Sequence, residues 1–233
     1  MKANWWKYLG GLLILYTIIF GLLNPLPNLN ILDESIRNLF YHVPMWFSMM
    51  GMLFVSLIYS IKYLNGGNIQ DDIKAISCAQ VGFMMGILGI TTGSIWARVT
   101  WGAWWVFSEV KLNGAAAGLL VYAAYFILRG SFDDEEKKAR YSAVYSIFAF
   151  VMFMVLINVI PRITDSSLHP GNGGNPGFNT YDLDNGLRMV FYPAVIGWLL
   201  FSGWMAQLLI RIKKLYRKIH KLDIEDNILK EIQ

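Results

Sequence analysis

The strongest constraint on this chain is a series of long apolar windows whose interiors are free of charge. A helix rises 1.5 Å per residue, so about 20 apolar residues cross the ~30 Å hydrocarbon core of a bilayer. Such windows fall at about 5–23, 41–63, 73–97, 113–128, 141–160 and 187–210. In lipid every backbone polar group must be satisfied within the protein, and at this length a helix does so within its own segment, so each window reads as a helix. The expected fold is an all-α integral membrane protein, a single six-span domain over 1–233 with a charged tail at 212–233. Composition agrees: 55% of the residues are hydrophobic and 15% charged, where a soluble domain carries about 25% charge.

Lys2 and Lys7 stand at the start of the first apolar stretch, which superficially suggests a signal peptide. No small-residue cleavage site comes after it; Asn24-Pro25-Leu26-Pro27 does, so a retained first helix is expected. The segment around 31–40, with Asp33, Glu34 and Arg37 among apolar residues, reads as an interfacial helix. Asn65-Gly66-Gly67-Asn68 marks a turn. No span interior holds a charge, which argues against a path for ions or charged solutes. Gly82, Gly86, Gly89 and Gly93 share one stripe of the third helix, and Gly114 and Gly118 begin the fourth. Small residues at this spacing read as close helix packing, not function.

Charge placement sets the expected orientation. Fifteen of the 20 Lys and Arg fall on the side of the N-terminus, the 62–74 turn, the 129–140 loop and the tail. The other five are Arg37, Arg98, Lys111, Arg162 and Arg188. By the positive-inside rule both termini are cytoplasmic. The net charge of +4 is thus a matter of topology, with no nucleic-acid partner implied.

On the outer side lies Trp101-Gly102-Ala103-Trp104-Trp105-Val106-Phe107. In a helical conformation the i, i+3, i+4 spacing puts Trp101, Trp104 and Trp105 on one face. Such a shelf either anchors the chain among lipid headgroups or offers a flat π surface to a planar ligand. Two of the three histidines share this side: His42 at the start of the second span and His169 in the long Gly/Pro/Asn-rich loop 161–186. His220 sits among lysines in the tail as a solvated side chain. Two imidazoles beside an aromatic shelf are what a bis-histidine haem site needs, because imidazole nitrogens ligate iron from both sides of the ring. Arg98, Lys111 and Arg162 are the cations available to haem propionates.

Other chemistries find little support. There is no P-loop and no Cys-x-x-Cys-His. A zinc site needs more ligands than the outer loops gather, and the spacing of Asp165, Asp182 and Asp184 is not diagnostic. The lone Cys78 reads as a small buried residue.

Trp101-Gly102-Ala103-Trp104-Trp105-Val106 resembles the tryptophan-rich WWD motif of the haem-handling proteins of bacterial cytochrome c biogenesis. Phe40-Tyr41-His42-Val43-Pro44 resembles the segment that carries their first outer histidine. Six spans with a second histidine between the fifth and sixth are similar to the short branch, the haem exporter protein C (CcmC) family. The larger CcsA/ResC-type proteins commonly have more spans and further histidines within them. The resemblance implies haem b held at the outer face of the bacterial inner membrane, with His42 and His169 as axial ligands. It implies a haem platform from Trp101, Gly102, Trp104 and Trp105, with Phe107 keeping the aromatic face. Where the motif usually continues with Trp and Asp, this chain has Phe107, Ser108 and Glu109, so Glu109 is the candidate acidic member. The implied partners are a CcmE-like haem chaperone, an ABC-type complex of CcmA/CcmB-like subunits and a small CcmD-like subunit. The implied role is delivery, not catalysis. A cytochrome b-like electron-transfer subunit and a haem permease are the rival readings.

Overall fold

The computed structural model describes residues 4–26, 33–164, 167–169 and 183–231, with side chains up to 219 and without that of Asp33. The helices are α1 (Trp5–Leu23), α2 (Leu39–Gly66), α3 (Ile69–Trp101), α4 (Val110–Gly130), α5 (Glu135–Met154) and α6 (Asn185–Glu231). A 3-10 turn, Asp33–Asn38, leads directly into α2. Past α5 the chain widens into a π turn at Val155–Val159 and tightens again at Ile160–Arg162. Six helical segments are long and apolar enough to cross a membrane, and no strand occurs among the described residues. The protein has the all-α, six-helix membrane architecture that its hydropathy calls for.

Most helices run past their apolar windows, because end turns tolerate charge that the bilayer centre does not. Residues 212–231 continue α6 as one helix. The side chain of His220 and most of the 161–186 loop, including Asp165 and Asp182, lie outside the described residues.

Helices α2 and α3 form the closest pair, and glycines are the reason. A Cβ on Gly82 would stand 2.9 Å from Leu53 Cδ2, and one on Gly86 would collide with Met49 Sδ. Lipid supplies no hydrophobic force between helices, so close van der Waals contact has to hold them together. Met49, Leu53, Ala79, Tyr122, Ala149 and Phe153 are fully buried in the core that α2, α3, α4 and α5 share. Gly114 gives α4 room for the Leu156 carbonyl of the π turn, and Gly118 gives it room for Phe153. Helix α1 buries only Gly10, Thr17 and Gly21 and packs on α6 from outside. Arg37 closes its C-terminal end by donating to the Gly21 and Asn24 carbonyls at 2.8 and 3.1 Å.

The absence of charge within the bundle has one qualification at its far end. Asp72, in the first turn of α3, is 5% exposed. It accepts two bonds from Arg129, in the last turn of α4, at 2.7 and 2.6 Å. The pair sits just outside the apolar windows 73–97 and 113–128, so windowing by composition could not join the two residues. Removing one partner strands the other charge. Arg129→Ala is expected to destabilise the protein by about 3–5 kcal/mol. Asp72→Asn combined with Arg129→Gln should cost less than that single change, as read by thermal unfolding in detergent.

Candidate functional site

The site is built on one stripe of α3, at the end opposite the Asp72–Arg129 pair. Gly89, Thr92, Gly93 and Trp96 recur at i, i+3, i+4 and i+7 and so share a face. His42, in the first turn of α2, packs against it. A Cβ on Gly93 would lie 2.6 Å from His42 Cε1, and one on Gly89 would lie 2.9 Å from Trp46 Cε2. The part of the glycine stripe read as packing alone therefore also makes the seat of an imidazole.

His42 Nδ1 lies 2.9 Å from the Gly89 carbonyl and 3.3 Å from Thr92 Oγ1. The Thr92 hydroxyl donates to the Leu88 carbonyl at 2.8 Å. A carbonyl only accepts, so Nδ1 is the protonated nitrogen and donates to Gly89. Nε2 keeps its lone pair, which is the tautomer a metal requires.

The tryptophan segment departs from the single helical face expected of it. Helix α3 stops at Trp101, where Gly102 takes a left-handed φ of 74° and caps it. Residues 102–109 form a loop, so Trp101, Trp104 and Trp105 do not line one helix face. Arg98 Nη1 donates to the Gly102 carbonyl. Asn113 folds the loop from the α4 side: its amide donates to the Phe107 carbonyl at 2.6 Å and its oxygen accepts from Trp105 Nε1 at 3.2 Å. Trp101 is half-buried, whereas Trp104 and Phe107 are 59% and 83% exposed.

Glu109 joins this loop to the segment that carries His169. It caps the N-terminus of α4, and its carboxylate accepts from the Lys111 amide at 3.3 Å. It also accepts from the Ser167 hydroxyl and the Leu168 amide, both at 2.7 Å. His169 Nδ1 stands 3.3 Å from Glu109 Oε1, short of hydrogen-bond alignment, and is a buried nitrogen without a hydrogen bond among the described residues. The His169 ring meets Trp101 edge-on at 5.0 Å between centroids and Trp96 at 6.2 Å. His169 is close enough to His42 for its charge to act on that ring.

The structure thus brings His42, Trp101, Glu109 and His169 together, with Lys111 near enough for its charge to act on His169. It leaves Trp104 and Phe107 on the outside of the loop. Arg162 donates to the Asn158 carbonyl at 2.6 Å, so it and Arg98 are engaged with their own backbone. Gly89, Thr92, Gly93, Trp96 and Ser167 were not read from the sequence as part of a site. The first four were visible as a 3.6-residue stripe; Ser167 carried no signal.

The donor set suits an iron porphyrin. One imidazole has its tautomer fixed with Nε2 available, the other has a buried Nδ1 beside a carboxylate, and indoles flank the second ring. Burial opposes charge on Glu109, but the Ser167 hydroxyl, the Leu168 amide and neighbouring His169 outweigh it and lower its pKa. Burial likewise pushes His169 down to about 4, against the raising effect of Glu109. At neutral pH the pair is carboxylate and neutral imidazole. The His169 contribution to stability is complete above the ordinary histidine pKa of about 6.5. It is lost as pH falls towards 4, where the unfolded segment takes up the proton first. In ligand-free protein, acidification over that window should raise hydrogen exchange at the Leu168 amide, with little change in α3.

The sequence matches the model of the family CcmC, described as Heme exporter protein C, over residues 2–223. It is similar to the heme exporter protein C of Escherichia coli K12, with 23% identity over 195 residues, 81% of this chain and 73% of that protein. The heme exporter protein C of Paracoccus denitrificans is 24% identical over 137 residues, 59% of this chain and 56% of its own length. A cytochrome c biogenesis protein CcsA of a Synechococcus strain is 32% identical over 80 residues, 34% of this chain and 25% of that protein. With nearly its whole length matched by the family model, this chain belongs to the heme exporter protein C family.

Proposed function

We propose that this protein binds haem b non-covalently at the outer face of the bacterial inner membrane and hands it on for cytochrome c maturation. The observation that carries the reading is the convergence of His42 and His169 on the Gly89–Trp96 face of α3, with a fixed Nδ1–H on His42 and Glu109 beside His169. Haem iron would be held by the imidazole nitrogens of His42 and His169. His42 presents Nε2 from a rigid helix. Glu109 orients His169 from behind, as carboxylates commonly do for metal-ligating histidines. Trp96 and Trp101 shield the His169 side from water. Exposed Trp104 and Phe107 extend the apolar surface, either over the porphyrin edge or into the headgroup layer. Of the three cations, Lys111 stands nearest in electrostatic terms to His169 and is the first candidate for a propionate.

The charge distribution supports an orientation with both termini in the cytoplasm and this site on the outer side. The receiving partner is then a CcmE-like haem chaperone, in association with CcmA/CcmB-like and CcmD-like subunits. In this reading the protein acts as a haem carrier. A cytochrome b-like subunit is disfavoured, because both histidines stand at one end of the bundle instead of within it.

The test is the visible absorption spectrum of the purified protein made with its partners. Wild type should show a six-coordinate, low-spin Soret band. His42→Ala and His169→Ala should each alter it and impair cytochrome c assembly; unchanged spectra and assembly in both would refute the ligand assignment. Glu109→Gln is expected to weaken haem retention about 10- to 100-fold, as losses of such supporting groups do. Gly93→Ala, which presses on His42 without breaking α3, should perturb the same band while circular dichroism stays unchanged.

A further inference from the structure

At the end of the bundle opposite the histidines lies a cavity of about 300 Å³ lined by Ile69, Gln70, Lys214, Arg217 and Lys218. It opens between the first turn of α3 and the continuation of α6. Three of its five lining residues are cationic. Arg217 shares its charge with Glu135 at 2.6 Å. The nearby acids of α3 are engaged elsewhere, Asp71 with Lys74 and Asp72 with Arg129. Lys214 and Lys218 have no ion-pair partner among the described residues. The cavity therefore carries an uncompensated positive charge.

The opposite side of the same helical stretch indicates its depth. At 100° per residue, Ile212, Leu215, Tyr216 and Ile219 form one stripe, and Lys214, Arg217 and Lys218 fall on the other side. The four stripe residues are 50–67% exposed. An exposed apolar stripe directly beyond a membrane span belongs at the lipid boundary. The cavity behind it then stands at the level of the headgroups, where basic pockets between helices take anionic lipids.

We propose that this cavity binds the phosphate headgroup of an anionic phospholipid, with Lys214 and Lys218 as its principal contacts. The bound lipid ties the continuation of α6 to the start of α3. A soluble phosphate compound would meet the same cations, but the apolar stripe beside them favours a ligand delivered from the bilayer.

The test uses the full chain in detergent and native mass spectrometry, with phosphatidylglycerol and phosphatidylcholine as probes. Phosphatidylglycerol should be retained in preference, and millimolar inorganic phosphate should not displace it. Lys214→Gln with Lys218→Gln should lower its affinity about 10- to 30-fold. Lys137→Gln with Lys138→Gln, which removes equal charge outside the cavity, should leave it unchanged. If the Lys214/Lys218 double variant loses helicity, Lys218→Gln alone should still weaken retention about fivefold. Equal retention of the two lipids, a cavity-lysine variant that binds like wild type, or displacement by inorganic phosphate would each overturn the proposal.

Discussion

The close approach of α2 to α3 is the constraint on which the rest of the structure depends. Gly82, Gly86, Gly89 and Gly93 remove the side chains that would hold the helices apart, and Leu53, Met49, Trp46 and His42 occupy the space. In a bilayer this contact has to come from packing, because lipid tails are as apolar as the helices. The same approach carries the Gly89 carbonyl to His42 Nδ1. One local rule, small residues every three or four positions, therefore sets helix spacing, the position of an imidazole and its tautomer.

Glu109 is the counterpart on the other side of the site. A buried carboxylate is costly unless it is hydrogen-bonded, and this one receives bonds from Lys111, Ser167 and Leu168. Those bonds keep it ionised and bring His169 to within 3.3 Å of it. The two imidazoles are held differently: His42 by a helix and a backbone carbonyl, His169 by a short segment pinned to one side chain. A fixed ligand facing one on a loop fits the proposed hand-over, in which the cargo must be both held and released.

The two ends of the bundle separate two kinds of polarity. At the histidine end, His42 is held by the Gly89 carbonyl and His169 stands beside Glu109. At the far end, Asp72 and Arg129 neutralise each other in two hydrogen bonds between α3 and α4. Buried pairs of this kind are weak evidence for stability, yet they penalise any arrangement that leaves one partner unpaired. The pair thereby favours a single register of the helices whose other ends frame the tryptophan loop.

The sequence by itself determined the six helices and their apolar surfaces, because hydropathy and 3.6-residue periodicity are local properties; it offered His42 and His169 as candidate ligands by side-chain chemistry alone. It also offered Glu109 as the candidate acidic member of the tryptophan motif. Only the tertiary structure decided what that acid touches, since its partners Ser167 and Leu168 lie 58 and 59 residues away. The tryptophans show the same division. Their spacing suits a helix face, but Gly102 at φ 74° ends α3 at Trp101 and turns the rest into a loop. That loop is folded back by Asn113. Trp96, a plain member of the apolar stripe in sequence, becomes a neighbour of His169. Contacts between segments far apart in the chain depend on how the helices pack, and no periodicity within one segment encodes them.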